Sequence, residues 1–277
     1  MRPANPPERA PEYDILGVRV HRVTMEQAME RAAEFIREDR PHIIVTTDAG
    51  GIIRARDDER VREIMNNADL VTADGAGVVL AARLLNLGID TRVAGCDMVE
   101  EISRVAAAHD RSVFLLGAAP GVAEKAAEKL QERVPGLEIA GTQDGYFKPE
   151  QEPEIIARIR QSRPAALFVA LGAPRQELWI VEHMEQLGVP VCIGIGGSFD
   201  VISGLKQRAP VWMQKCGLEW LYRSVKEPAR FRRLGALPRI LYLTAIELLR
   251  APAPHPQPLS VTGEGRTTND ANHHRLQ

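Results

Sequence analysis

The feature that most narrows the fold is a repeating unit. A short apolar, β-branched run closes on a polar or glycine turn, and a stretch with helical spacing comes next. The runs are His42 to Thr46, Leu70 to Ala73, Ser112 to Leu116, Leu137 to Gly141, Ala165 to Leu171 and Val191 to Ile195. Between them lie helical patterns, among them Asp58 to Asn67, Val78 to Leu85, Val122 to Val134, Glu150 to Ser162 and Glu177 to Leu187. Such connections are too long for hairpins and suit crossovers. The chain is therefore predicted to be α/β, a Rossmann-like, mainly parallel sheet with helices on both faces. Ahead of the first run, Tyr13 to Val23 reads as a short hairpin or edge strand around Leu16-Gly17-Val18. Thr24-Met25-Glu26-Gln27 has the form of a capping box, and Asp97 reads as the cap of a helix running to His109.

The repeat ends near Asp200, and the chain beyond it has another character. From Gly204 to Arg250 there are ten Lys/Arg against three Asp/Glu, a surplus of +7 that leaves −9 on the rest of a chain whose net charge is −2. This stretch is helical, basic and aromatic, broken by Pro210, Pro228 and Pro238. A basic segment on an acidic body suits a phosphate-bearing or membrane-surface partner. No nucleic-acid partner is expected. Core packing is the simplest expectation for Trp212 and Trp220. The expected organisation is a disordered terminus over 1–12, an α/β core over 13–203, a basic helical appendage over 204–250 and a disordered tail over 251–277.

No signal peptide opens the chain, and no apolar run reaches the roughly 18 residues of a membrane span. Cys96, Cys192 and Cys216 lack close spacing and are expected to be buried thiols in a reducing compartment. Those features point to a cytoplasmic protein, peripheral to a membrane at most. Apolar helix faces leave room for a homo-oligomer.

Several chemistries lack their sequence signature. The seven His show no His-Glu-x-x-His or other ligand spacing, and no metal site is expected. There is no Gly-x-Ser-x-Gly elbow, no Walker A sequence and no complete Gly-x-Gly-x-x-Gly fingerprint. What remains is a set of polar residues at the carboxyl ends of predicted strands, where open α/β sheets hold their ligands. Thr46 and Asp48 follow one strand, Asp74 the next, and Gln176 the strand ending at Leu171; Arg92 lies in the loop after the Asp74 helix. Singly, each is explained by a turn, a cap or a surface charge, and Asp74 reads first as an N-cap or Asx-turn. Jointly they fall on one rim of the sheet. There a carboxylate such as Asp74 can act as a general base beside a bound phosphate.

Several of these stretches resemble one family. Asp74-Gly75-Ala76-Gly77-Val78-Val79, Arg92-Val93-Ala94-Gly95-Cys96-Asp97 and Leu171-Gly172-Ala173-Pro174-Arg175-Gln176-Glu177 are similar to the WecG/TagA/CpsF glycosyltransferases. So are Gly194-Ile195-Gly196-Gly197-Ser198-Phe199-Asp200, Arg208-Ala209-Pro210 and Gly217-Leu218-Glu219-Trp220-Leu221-Tyr222-Arg223, in the same order. The resemblance covers about Asp14 to Leu234. It implies an inverting transferase that moves a sugar, N-acetylmannosamine in type, from a UDP donor; with no Asp-x-Asp motif in the chain, a metal-independent reaction is expected. The implied acceptor is a sugar linked to polyprenyl diphosphate at the cytoplasmic membrane face, in teichoic-acid or exopolysaccharide synthesis. It implies Asp74 as the base and Thr46, Arg92 and Gln176 as substrate contacts. Arg223, Arg230 and Arg233 match the arginines that meet the diphosphate and the membrane, with Lys206 and Arg208 as further cations. One departure is that the family's Thr-x-Asn is here Thr46-Thr47-Asp48. Ionised Asp accepts hydrogen bonds but cannot donate them, which turns Asp48 toward sugar hydroxyls rather than phosphate. Two alternatives stay open: a non-catalytic nucleotide-sugar-binding protein on the same fold, and an NAD-dependent oxidoreductase.

Overall fold

A hairpin opens the described chain. β1 (Glu12–Ile15) and β2 (Val18–His21) pair antiparallel across Leu16 and Gly17, whose φ angles of 56° and 88° make the tight reversal. α1 (Met25–Glu38) starts at the expected capping box: the Thr24 hydroxyl accepts from the Gln27 amide at 3.2 Å, and the Gln27 side chain accepts from the Thr24 amide at 2.9 Å. This computed structural model describes residues 10–226 and 235–250, with Lys215 and Arg223 described by backbone alone. The terminal segments expected to be disordered lie largely outside that range.

Six apolar runs then pair side by side. β3 (His42–Thr47), β4 (Leu70–Ala73), β5 (Val113–Gly117), β6 (Ile139–Gln143), β7 (Ala166–Ala170) and β8 (Val191–Gly194) form one sheet in the order β4-β3-β8-β7-β5-β6. Every pairing is parallel. β6 starts two residues later than the sequence suggests, because Leu137 still closes the preceding turn through its amide to Val134.

The pleat sorts the core into two halves. On one side Ile43, Val45, Val71 and Ala73 pack with α2 (Ala49–Asp57), α3 (Glu59–Asn67) and α4 (Ala76–Leu84), together with α7 (Glu152–Ser162) and α8 (Arg175–Leu187). On the other, Ile44 and Leu70 pack with α1, α5 (Gly95–Ala108), α6 (Val122–Arg133) and α9 (Ser198–Ile202). α5 begins at Gly95 with Ala94 as its N-cap, so Asp97 sits in the first turn and does not cap the helix.

At the amino ends of β3 and β4 the charged groups are paired off. His42, buried and stacked on Phe35 at 3.9 Å, lies 3.0 Å from Asp69 and 3.1 Å from Glu38. Asp69 also accepts from the Ile43 amide at 2.9 Å. Burial alone would raise its pKa, but His42, that amide and Arg40 outweigh burial and hold it below the ordinary value.

Past Ser203 come α10 (Val211–Lys215), α11 (Glu219–Lys226) and α12 (Ala236–Arg250). α12 lies across α2 and α4. Its Ile240 is fully buried in the larger core half, and its Arg239 pairs with Asp57 at 2.7 and 2.8 Å. Pro238 falls inside the first turn of α12, where the missing N–H costs nothing, and does not break the helix. Trp212 and Trp220 are not core residues: they are 61% and 38% exposed. Cys216 is exposed and Cys96 half-buried, leaving Cys192 as the buried thiol.

Candidate active site

The site forms where β3 and β4 hand over to α2 and α4. Parallel pairing sets Thr47 opposite Ala73, so the next residues, Asp48 and Asp74, leave the sheet side by side. Glycine makes the crossing tight. A Cβ at Gly75 would stand 3.0 Å from the Asp48 Cβ, and one at Gly77 only 2.7 Å from Leu237 Cδ1. The Asp-Gly-Ala-Gly run thus lets two helix starts and the last helix converge on one point.

Asp48 and Asp74 then part company. Asp48 is the N-cap of α2, its Oδ1 accepting from the Gly51 amide at 2.8 Å. Asp74 caps nothing. The N-cap of α4 is Gly75, with no side-chain bond, and Asp74 Oδ2 instead accepts from the Gly95 amide at the start of α5, at 3.1 Å. The Asp74 amide donates to the Thr47 carbonyl at 2.9 Å, fixing the turn.

Asp74 opens into a cavity of about 390 Å³, a volume typical of small-ligand sites. The sheet side of its wall carries Asp48, Gly50, Arg54, Asp74 and Arg92. The opposite side comes from the C-terminal segment, through Glu219, Trp220, Ser224 and Leu237. The N-termini of α2 and α4 both abut the cavity, and their partial positive charge favours an anion there.

Charge alternates through the site. Arg92 Nε lies 3.6 Å from Asp74 Oδ1, while Arg92 Nη2 lies 2.8 Å from Glu219 Oε2. Glu219 in turn is 3.6 Å from Arg208 Nε, and Arg208 grips Asp97 with both terminal nitrogens, one contact being 2.8 Å. Burial is the main influence on Asp74 and pushes its carboxyl up to about 6; Asp48 and Glu219 add to this, against Arg92 and the Gly95 amide. Among the described residues, no three His, Cys, Asp or Glu side chains are grouped to hold a metal ion.

The structure therefore brings Asp74, Asp48 and Arg92 into one cavity. Thr46 stands behind them, half-buried in β3 with its hydroxyl against Gly95. Gln176 is buried: its carbonyl oxygen accepts from Gly172 and Gly196 at 3.1 and 3.0 Å, and its amide donates to Glu177 at 2.8 Å. In that state it braces the loops after β7 and β8 and is not part of the cavity wall. Lys206 and Arg208 are ion-paired to Asp200 and Asp97, which argues against a free phosphate-binding role for either. Arg223 lies in α11 by its backbone, and Arg230 and Arg233 fall outside the described residues.

Sequence reasoning passed over Arg54 and Glu219. Arg54 follows the cavity residue Gly50 by four positions on α2, a same-face spacing that could have flagged it. Glu219 is one of only three acids in the basic segment.

Comparison with known proteins bears on the chemistry. The sequence model described as the glycosyl transferase WecG/TagA/CpsF family matches residues 13–254. A relative from Staphylococcus aureus (strain MW2) is 35% identical over 236 residues, covering 84% of this chain and 92% of its own. One from Bacillus spizizenii is 35% identical over 212 residues, covering 76% and 81%. Both bear the name N-acetylglucosaminyldiphosphoundecaprenol N-acetyl-beta-D-mannosaminyltransferase.

Proposed function

The chain belongs to the WecG/TagA/CpsF glycosyltransferase family, and from that premise we propose a hexosyltransferase that moves an N-acetylmannosamine-type sugar from UDP. The acceptor is a hydroxyl of an N-acetylglucosamine-type sugar carried on polyprenyl diphosphate, and the anomeric carbon inverts. The relatives' shared name supports the transferred sugar and the lipid-linked acceptor. The observation that carries the chemistry is Asp74, a carboxylate with its pKa pushed up to about 6, facing the cavity beside Arg92.

A sugar hydroxyl does not ionise near neutral pH, so its proton must leave as attack proceeds. Asp74 is mostly ionised at pH 7 and more basic than an ordinary aspartate, the balance general-base catalysis asks for. In the proposed step the acceptor oxygen bonds to the anomeric carbon from the face opposite UDP. The carbon–oxygen bond to the diphosphate breaks, and the acceptor proton passes to Asp74. UDP departs with its new charge, which Arg54, Arg92 and the N-termini of α2 and α4 are placed to stabilise. Arg223, Arg230 and Arg233 join them on the strength of the family resemblance. Thr46 and Gln176 hold the strand-end loops in register beneath the sugar, and Asp48 takes sugar hydroxyls. The reaction in this reading is metal-independent.

The C-terminal segment is also the proposed membrane contact. Val211, Trp212, Leu221, Val225, Tyr242 and Leu249 are exposed on α10 to α12, in a stretch of net positive charge. Among the described residues no helix is long and apolar enough to cross a membrane. In this reading the exposed apolar and basic residues attach the segment at the cytoplasmic membrane face, where the lipid-linked acceptor lies.

The test is a transfer assay. UDP-sugars are screened against a short-chain lipid-diphosphate acceptor, with and without chelator, and the product's anomeric configuration is read by NMR. Transfer of the N-acetylmannosamine type, inverted and indifferent to chelator, is expected. UDP binding without turnover for any donor would overturn the enzymatic reading, and loss on chelation the metal-free one.

A further inference from the structure

Arg92 faces two carboxylates and serves them unequally. Its Nη2 is 2.8 Å from Glu219, whereas only its Nε edge approaches Asp74, at 3.6 Å, beyond hydrogen-bond range. The planar guanidinium could close on Asp74 with two parallel bonds, the strongest form of the pair. It does not: its Nη2 lies against Glu219, an ion pair by distance although Glu219 Oε2 accepts no well-aligned hydrogen bond. Glu219 and Arg92 are themselves largely sheltered, at 12% and 22% side-chain exposure, so water weakens their attraction little. Glu219 is also steadied from behind by Arg208, which Asp97 holds.

We infer that Glu219 is a positioning residue: by holding the Arg92 guanidinium it keeps that cation from closing on Asp74. The docking of α11 on the core then sets the state of the catalytic carboxylate. The inference rests on the reading of Asp74 as the base. The opposite arrangement would leave Asp74 in a tight ion pair, a poor acceptor for a proton. Glu219 thus links the two walls of the cavity chemically as well as sterically: the segment that closes the site also frees its base.

Other charged groups face Asp74. Asp48 and Arg54 come from the turn before α2 and from α2 itself, and Cys96 from the start of α5, with Asp97 and Arg208 beyond it. None of these is in ion-pair contact with Arg92 among the described residues; Glu219 and Asp74 are.

The experiment titrates Asp74 directly. Full-length protein is labelled with ¹³C at aspartate carboxyls, and the Asp74 signal is assigned by its loss in Asp74→Asn. The wild-type midpoint is expected near 6. In Glu219→Gln it should fall by about one unit or more, since a close cation typically lowers a carboxyl by that much. The acid limb of the transfer rate should move down with it, and turnover at neutral pH should drop several-fold. Removing the Glu219 charge would by itself lower Asp74 somewhat, so the same change is made in Arg92→Gln. There the shift should shrink to less than half, because its carrier is gone. An unmoved midpoint, or an equal shift in both backgrounds, would overturn the inference. If Glu219→Gln does not fold, Glu219→Asp replaces it: the shorter carboxylate withdraws from Arg92, and a downward shift supports the inference while none overturns it. A shifted midpoint in a protein that transfers no sugar would leave this geometry standing and refute the proposed function instead.

Discussion

β4 carries an aspartate at each end, and the two live opposite lives. Asp69 and Asp74 have nearly the same exposure, 31% and 32% of the side chain. Yet Asp69 sits below its ordinary pKa and Asp74 well above it, at about 6. Burial is the largest influence on both carboxyls and raises both; only at Asp69 do the partners outweigh it. Asp69 lies against a buried imidazole and accepts a backbone amide. Asp74 has one amide, two neighbouring carboxylates and a cation that leans toward one of them. A carboxylate with its full set of partners holds a fold together. One kept short of partners stores basicity that a substrate can use.

The sharpest way to break this comparison is to neutralise each end in turn. Asp74→Asn should cut transfer by about 10²- to 10⁴-fold. Its stability at pH 7 should be unchanged or slightly higher, because a carboxyl raised in the fold disfavours folding once ionised. Near-normal turnover would refute the role. Asp69→Asn should do the reverse: roughly 1–3 kcal/mol of stability lost in urea melts, with turnover per folded molecule preserved.

The same contrast predicts two separate pH windows. The Asp74 carboxyl protonates on going down through about 6, so kcat/KM should fall on that limb while circular dichroism stays native. Asp69 and Glu12 are held low, so their stabilisation is full above the ordinary carboxylate range and is lost only as pH drops below that range, through their depressed values. Coincident loss of activity and fold would break the distinction. A smaller effect is expected at Arg54, whose charge belongs to the ligand in this scheme. Arg54→Gln should raise KM for the UDP-sugar about tenfold and leave the melting temperature alone. The smallest concerns Asp48. Asn caps a helix as well as Asp does, so Asp48→Asn should melt like the wild type and change KM by only about threefold. If it were instead the inactive variant, the roles of Asp48 and Asp74 would be exchanged.

Much of the fold was legible in the chain because its signals are local. The β-branched runs, the Thr24 box and the glycine turns each act within a few residues, and crossover spacing made the sheet parallel. The rim of Asp48 and Asp74 was legible for the same reason, since the ends of parallel strands share an edge whatever the strand order; Arg92 reaches it from the loop after α4. What escaped depends on contacts across long stretches of chain. Glu219 gains its meaning from Arg92, and Gln176 from glycines in two separate loops. Composition also misled: Trp212 and Trp220 look like core residues but stand at the surface. Truncation after Ser203 would strip Ile240 from the core and lay bare the face of α4.

The meeting of Gly77 with Leu237 has a consequence for the order of biosynthesis. The ribosome delivers Asp74 early and the far wall of its chamber very late, since Glu219, Trp220, Ser224 and Leu237 all come from the final quarter of the chain. A nascent or prematurely ended polypeptide owns half a chamber, open to water and without the helix wedged over that glycine. Only a chain extended through Leu237 carries the whole of it.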